Sequence, residues 1–256
     1  MPVYNLSWSA FETYSQCPYR FKEIYLNRKR EPSNKYALFG CAIHELLDQI
    51  YEKSDFVMAN ALKSWLDVLT KVASKKEYQD ISKKSITEME DQGRTMIRKF
   101  FKLAEEESLL KPCIEHEAVI KGNYRECVLR AKIDLVTNIK GRLGVLDWKT
   151  GKPDPKNLMQ LVLYAVLYMN KTGKKIDWVV PVYLKSKEVV YQALDKEIIT
   201  EATKFFRNTD APDKSIVIRK ITVSSSCIIV NRVLRLEYCL ARVKVSSIIY
   251  VAFMFA

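Results

Sequence analysis

The 256-residue chain is poor in residues that interrupt or cross-link a fold. It contains 7 glycines and 8 prolines, so long helices can run without a break. Its 6 cysteines are scattered, and no two of them form a CxxC pair. This spacing excludes a zinc ribbon and a small disulfide scaffold as the organising principle of the fold. We expect reduced and mostly buried thiols.

The chain also lacks a long apolar run. No basic segment followed by an apolar one stands near its start, so no secretory signal is indicated. The apolar segment 246–256 is far shorter than the roughly 20 residues that a membrane-spanning helix needs. We interpret it as a buried strand or a surface for a partner. These features predict an intracellular, cytoplasmic protein without a membrane partner.

Basic residues outnumber acidic ones. There are 42 lysines and arginines against 30 aspartates and glutamates, which gives a formal net charge of +12. Such a charge favours a polyanionic partner, nucleic acid above all. Charge alone leaves heparin-binding, ribosome-associated and merely soluble proteins open.

Periodicity divides the chain into a helical first part and a mixed second part. A helix begins at Ser7 or Ser9, and helical spacing continues through 38–53, 55–72 and 76–107, with a charged, solvated face over 82–98. Strands over 114–120, 126–136 and 143–148, a helix over 157–170 that stops at Gly173, strands over 176–184 and 188–194, and a helix over 198–207 follow. We expect a helical part over 1–111, a β-β-β-α-β-β core over 112–210, and an extension over 211–256 packed on the same single domain.

Two acids face each other in the predicted hairpin. If Lys140 and Gly141 form its two-residue turn, Asp134 lies directly opposite Asp147, with β-carbons about 5 Å apart. Like charges so placed are destabilising unless a cation such as Mg²⁺ lies between them. A shift of one residue in the pairing would separate the two acids.

Lys149 lies on the same face of its strand as Asp147, because side chains alternate along a strand. A lysine beside an activated water can orient it or take its proton, and it can balance charge on a phosphate. Two acids and a lysine are therefore typical of a phosphodiesterase site. Asp147 and Lys149 are equally consistent with an ordinary ion pair at a strand end.

Three short motifs occur in a recognisable order. They are Asp134 followed by DWKTGK at 147–152, the Gly-x-x-x-His pattern of Gly40 and His44, and the Gln-x-x-x-Tyr pattern of Gln160 and Tyr164. Together with SWSAFETYSQCPYRF at 7–21, they resemble the PD-(D/E)XK nuclease superfamily, in particular its RecB-like exonuclease branch. The resemblance implies an α/β (α+β) fold: a restriction-endonuclease-like core with a central mixed β-sheet flanked by helices, plus an N-terminal helical elaboration.

The resemblance also implies roles. Metal ligands would be His44, Asp134, Asp147 and the main-chain carbonyl of Trp148, and the ion would be Mg²⁺ or Mn²⁺. Lys149 would be the catalytic lysine, and Gln160 and Tyr164 would position that lysine or the DNA backbone. For Tyr164, simple packing in the same helical stripe as Tyr168 is an equal alternative.

Other acids and the cysteines are further candidate ligands. Glu115 and Glu117 could add an acid to the site, but alternation along their strand favours exposure to solvent. His116 has no motif around it and receives no role. Some RecB-like nucleases hold an iron-sulfur cluster with one cysteine in the N-terminal segment, the position of Cys17, and three near the C-terminus. The resemblance implies no such cluster here, because after residue 194 only Cys227 and Cys239 remain.

The resulting expectation is a metal-dependent DNA exonuclease of bacterial, archaeal or viral origin, acting on single-stranded or duplex ends in recombination, repair, replication or end processing. It could act as a homo-oligomer or with a recombination or replication partner. Candidate phosphate contacts are Arg20, Lys22, Arg28, Lys29 and Arg30. The alternatives are a flap or junction endonuclease, a non-catalytic DNA-binding subunit, and a protein held at a membrane surface by basic residues.

Overall fold

The computed structural model describes residues 4–29, 31, 34–124, 127–200 and 202. They belong to two compact units. The terminal unit comprises Met1–Lys29, Lys121–Arg130 and Gln192–Ala256, and the core unit comprises Arg30–Ile120 and Ala131–Tyr191. Residue 111, the expected end of the helical part, lies inside the core unit. The expected extension over 211–256 lies outside the described residues.

Short elements make up the described portion of the terminal unit. Strand β1, Tyr4–Leu6, pairs in parallel with Cys127–Leu129 at the start of strand β3, Cys127–Ile139. Helix α1, Trp8–Gln16, begins at Ser7, one of the two predicted starts, whose hydroxyl accepts the amide hydrogen of Ala10. Helix α2 spans Pro18–Phe21 and continues as a π-helical turn over Lys22–Leu26.

Three long helices open the core unit. They are α3, Lys35–Lys53; α4, Met58–Ala73; and α5, Lys83–Glu106. The single helical segment predicted over 76–107 was wrong, because it divides into a 3₁₀ turn, Lys76–Tyr78, and α5. Ser82 starts α5 by accepting the amide hydrogen of Ser85 with its hydroxyl.

Helices α4 and α5 touch at a glycine. Trp65 is fully buried and donates its indole N–H to the carbonyl of Glu90, 3.0 Å away. A β-carbon on Gly93 would lie 2.1 Å from the Trp65 ring, so only glycine permits this approach. The charged stretch 82–98 is therefore solvated on one side only, and Met89, Met96 and Ile97 are buried on the other.

A mixed sheet forms the second layer of the core unit. Its strands are β2, Glu115–Tyr124; β3, Cys127–Ile139; β4, Arg142–Lys149; β5, Trp178–Tyr183; and β6, Glu188–Val189. Residues 121–124 of β2 and 127–130 of β3 are part of the terminal unit. The order is β3-β4-β5-β6, and β2 also pairs with β3. Pairing is antiparallel for β3 with β4 and for β5 with β6, and parallel for β4 with β5. The expected mixed sheet flanked by helices is confirmed.

The parallel pair needs a crossover, and helix α6, Pro155–Thr172, provides it. Asp154 caps its start by accepting the amide hydrogen of Lys156, and Gly173 ends it in the left-handed conformation at φ 70°. The strand predicted over 188–194 is shorter and divided, with β7 at Gln192–Ala193. Helical residues begin again at Lys196, and most of the helix predicted over 198–207 lies outside the described residues.

The turn between β3 and β4 has the predicted form. Lys140 and Gly141 both have positive φ, 51° and 80°, as a two-residue hairpin turn requires. Ile139 pairs with Arg142, and the ladder runs to Leu135 opposite Leu146. The predicted register is therefore confirmed up to the step before Asp134 and Asp147.

Buried thiols were expected, and the three free cysteines that the structure describes differ. Cys17 and Cys41 are exposed and Cys113 is partly exposed. Cys17 caps α2, and Cys41 lies on α3 with the Tyr78 hydroxyl donating to its sulfur. Among the described residues, no helix is long and apolar enough to cross a membrane.

Candidate active site

The site forms where β4 ends beside helices α3 and α6. Strand β4 is buried from Gly144 to Trp148, as the apolar sequence requires. Trp148 stacks on Tyr51 and meets Phe100 edge-on, with ring centroids 6.1 and 5.2 Å away. Because neighbours along a strand point in opposite directions, Asp147 and Lys149 lie on the other face.

Asp134 is held by two donors. The imidazole Nδ1 of His44 lies 3.3 Å from its Oδ2, and the amide N–H of Trp148 donates to the same oxygen at 2.8 Å. Burial would raise the pKa of Asp134, but the His44 charge and these hydrogen bonds outweigh it and lower the pKa. Asp134 is therefore a carboxylate at neutral pH.

His44 is the counterpart of Asp134. Burial lowers its pKa, and the Asp134 carboxylate more than reverses this effect, raising the pKa to about 9. The His44 side chain is 30% exposed to solvent. The protein therefore presents a protonated imidazole here when no other cation neutralises Asp134.

Of the two aspartates, Asp147 is the one whose ionised form is disfavoured. Burial and then the neighbouring Asp134 charge raise its pKa to about 6, although the Lys149 ammonium opposes them. Lys149 Nζ lies 2.6 Å from Asp147 Oδ2, but off the hydrogen-bonding direction. Among the described residues, no donor is aligned with this buried oxygen. Such an atom favours a cation.

Lys149 connects the acids to α6. Its ammonium donates to Gln160 Oε1 at 2.9 Å, and Gln160 Nε2 donates to the Tyr164 hydroxyl at 3.0 Å. Burial raises the pKa of Tyr164 to about 12, so the phenol stays neutral. By accepting from the amide nitrogen, Tyr164 turns the amide oxygen of Gln160 toward Lys149.

The two tyrosines of α6 differ in their contacts. Tyr164 is buried and also bonds Gln160, so it takes part in packing and in the site. One turn later, Tyr168 donates to Glu115 Oε1 at 2.7 Å. Glu115 also lies 3.8 Å from Lys174 and is partly exposed, so its contacts lie away from the two aspartates. The side chain of Glu117 lies outside the described part of the chain.

A glycine brings α3 close to the end of β4. A β-carbon on Gly40 would lie 3.3 Å from the Thr150 hydroxyl oxygen. His44 follows Gly40 by one helical turn, so this approach places the imidazole beside the aspartates. Sequence reasoning missed Thr150, although it directly follows Lys149.

Two further charged residues near the site were missed. Asp48 follows His44 by one turn of α3, and Lys132 precedes Asp134 by two residues on β3. Lys132 Nζ lies 3.4 Å from Asp48 Oδ2. Only their spacing from the motif residues could have indicated them.

The candidate phosphate contacts lie mostly in the terminal unit. Arg20, Arg28 and Lys29 are exposed and Lys22 is partly exposed. Lys29 forms an ion pair with Glu23. Arg30 lies outside the described residues. Their contact with DNA stays a prediction.

The acid and imidazole donors fit a divalent cation in chemistry. Carboxylate oxygens suit Mg²⁺ and Mn²⁺, and an imidazole nitrogen suits Mn²⁺. Within the described ranges, no three histidine, cysteine or acidic side chains already converge at metal-binding distances. In this arrangement His44 neutralises Asp134 and Lys149 neutralises part of Asp147. Asp147 Oδ2, which has no aligned donor among the described residues, is a buried oxygen whose chemistry fits a cation.

Comparison with known proteins identifies the family. Residues 5–223 match the family model of the PD-(D/E)XK nuclease superfamily. The crystal structure of a candidate exonuclease from Eubacterium rectale is similar, with a TM-score of 0.52 and 11% identity over 84% of this chain and 80% of that one. At this identity the likeness shows the fold alone. No curated protein matches the sequence. With a family model that covers most of its length, the chain belongs to the PD-(D/E)XK nuclease superfamily, whose members act on nucleic acid and generally use divalent metal ions.

Proposed function

We propose that the protein is a metal-dependent DNA exonuclease that hydrolyses phosphodiester bonds at DNA ends. One observation carries the proposal: a continuous set of contacts within the core unit links the residues of three separated motifs. The set is His44, Asp134, the Trp148 amide that joins Asp134 to the end of β4, Asp147, Lys149, Gln160 and Tyr164. A purely structural ion pair at a strand end would not need all of them.

The proposed metal ligands are Asp134, Asp147 and His44, with the Trp148 carbonyl as a further one. A bound Mg²⁺ or Mn²⁺ would supply Lewis acidity toward the scissile phosphate. The Trp148 amide already fixes Asp134 by a 2.8 Å hydrogen bond, so this carboxylate is oriented before any ion arrives. His44 must lose its proton to serve as a ligand.

Lys149 can serve the reaction in two ways, by stabilising negative charge on the phosphate or by accepting a proton from water. Its ammonium, between Gln160 Oε1 and Asp147 Oδ2, can donate to a phosphate oxygen as negative charge builds there. In its neutral form, the same amine can take the proton of the attacking water. Tyr164 and Gln160 restrict the position of the amine and so favour one geometry for either task.

Phosphate contacts by Arg20, Lys22, Arg28, Lys29 and Arg30 would hold the strand without reading its sequence. The net charge of +12 supports this view. Recombination, repair, replication and processing of ends are the processes that such an activity would serve.

The test is digestion of labelled DNA. Linear single-stranded and duplex DNA labelled at either end, and a closed circle, are incubated with Mg²⁺, Mn²⁺ or EDTA. We expect the wild type to release label from linear DNA in Mg²⁺ or Mn²⁺ but not in EDTA. Asp147→Ala and Lys149→Ala should release no label under any of these conditions. Lys174→Ala, a matched surface substitution near Glu115, should cut normally.

Each other result points to an alternative. Cutting of the circle would show an endonuclease. Tight binding to DNA without any cutting in either metal would show a non-catalytic DNA-binding subunit.

A further inference from the structure

A second ion pair joins the two elements that carry His44 and Asp134. Lys132 Nζ on β3 lies 3.4 Å from Asp48 Oδ2 on α3. Residues four apart share a helix face, and residues two apart share a strand face. Asp48 is therefore on the His44 side of α3, and Lys132 is on the Asp134 side of β3. Helix and strand are linked at two successive points.

Lys132 is the accessible member of this pair. Its side chain is 49% exposed, whereas that of Asp48 is 17% exposed. Its neighbours Ala131 and Ile133 are fully buried, so the strand alternation directs Lys132 away from the core. Two residues along a strand span about 6.7 Å, which is the separation along β3 between Lys132 and Asp134.

Stability does not explain a lysine at this position. A partly exposed ion pair contributes about 0–1 kcal/mol, and an apolar or neutral side chain would avoid the entropy of ordering a long one. An ammonium has three donors, so Lys132 can keep Asp48 and still bind a phosphate oxygen. The pair with Asp48 restricts where the ammonium lies.

We propose that Lys132 binds the DNA phosphate next to the one that is cut, and that Asp48 holds its ammonium in place. The inference rests on the proposed function, since it takes Asp134 as a ligand of the metal that would meet the scissile phosphate. A strand that follows β3 from the proposed metal site beside Asp134 places a neighbouring phosphate near Lys132, whose side chain is 49% exposed. The contact is with the backbone and is independent of base sequence.

The experiment measures DNA affinity against salt. Lys132→Gln and Lys132→Arg are compared with Lys102→Gln, a matched loss of charge on α5, where Lys102 is 64% exposed and 4.0 Å from Glu106. All are made in the Asp147→Asn background, so that DNA stays intact. Anisotropy of an end-labelled single strand gives the dissociation constant from 50 to 200 mM KCl.

We expect Lys132→Gln to bind about fivefold more weakly at 50 mM KCl and to lower the salt slope by about 0.7. Lys132→Arg should keep both values, and Lys102→Gln should keep the slope. Melting temperatures within about 2 °C of one another would show that the fold is intact.

Equal salt slopes of DNA affinity for Lys132→Gln and Lys102→Gln would overturn the inference. Cleavage of DNA by the wild type would in that case leave the proposed function standing. A wild-type protein that neither binds nor cuts DNA would contradict both.

Discussion

At the scale of the residue, Asp147 is the group in which function opposes stability. Its carboxylate is buried beside Asp134, and these two causes raise its pKa from 3.8 to about 6. A carboxyl with a raised folded pKa stabilises the fold below its unfolded pKa, and this stability is lost as pH rises through the folded pKa. In the absence of metal, the ionised acid therefore destabilises the protein at neutral pH.

Asp147→Asn should stabilise the protein and abolish its cleavage of DNA. We expect the free energy of unfolding in EDTA to rise by about 1–3 kcal/mol at pH 8, since the neutral amide carries no buried charge. At pH 4 the gain should be much smaller, because the wild-type acid is then largely protonated. Urea unfolding at the two pH values measures this, and an equal effect at both would contradict it.

The hydroxyl of Tyr164 offers a second test at this scale. Tyr164→Phe keeps the ring in the core but removes the acceptor that orients the Gln160 amide. We expect the single-turnover cleavage rate to fall about tenfold with little change in stability. The matched variant Tyr168→Phe loses its bond to Glu115 instead and should cut at the wild-type rate. Equal rates for both variants would favour packing as the only role of Tyr164.

At the scale of the element, close approaches at two glycines position the helices. Gly40 lets α3 approach Thr150, and Gly93 lets α5 approach Trp65 of α4. The second contact is the tighter one, and it joins α4 to α5, whose Phe100 packs against Trp148. A methyl group at Gly93 must displace a fully buried indole.

Gly93→Ala should destabilise the protein by about 2–3 kcal/mol. Alanine favours a helix by about 1 kcal/mol over glycine, but the added β-carbon would lie 2.1 Å from the Trp65 ring, and overpacking outweighs propensity. Gly151→Ala, with nothing within 4 Å of the added carbon, should change stability by less than about 0.5 kcal/mol. Thermal unfolding in EDTA compares the two variants with the wild type. A Gly93→Ala protein as stable as the wild type would contradict this prediction.

At the scale of the whole molecule, periodic and paired features could be read from the sequence. Apolar spacing predicted α3, α4 and α6, and the Lys140-Gly141 turn fixed the register of β3 and β4. Other features rest on single contacts. Strand β1 is too short for a periodic signal, and the break between Tyr78 and Lys83 depends on one capping serine.

The same division holds for the site. The motif residues His44, Asp134, Asp147, Lys149 and Gln160 meet in the core unit, although they are far apart in the chain. Thr150, Asp48 and Lys132 were not predicted, because no pattern marks them and only the packing of α3 against β3 and β4 brings them there. Their roles and those of the motif residues stay proposals.

The most direct test of the account is the dependence of phosphodiester cleavage on a divalent ion held by Asp134 and Asp147. Single-turnover digestion of end-labelled DNA is followed in Mn²⁺, after EDTA, and after Mn²⁺ is restored, for the wild type and for Asp134→Asn. We predict that the wild-type rate falls by at least about 10³ in EDTA and returns with the ion, and that the variant stays inactive throughout. Cleavage that persists in EDTA, or that the variant retains in Mn²⁺, would contradict the account.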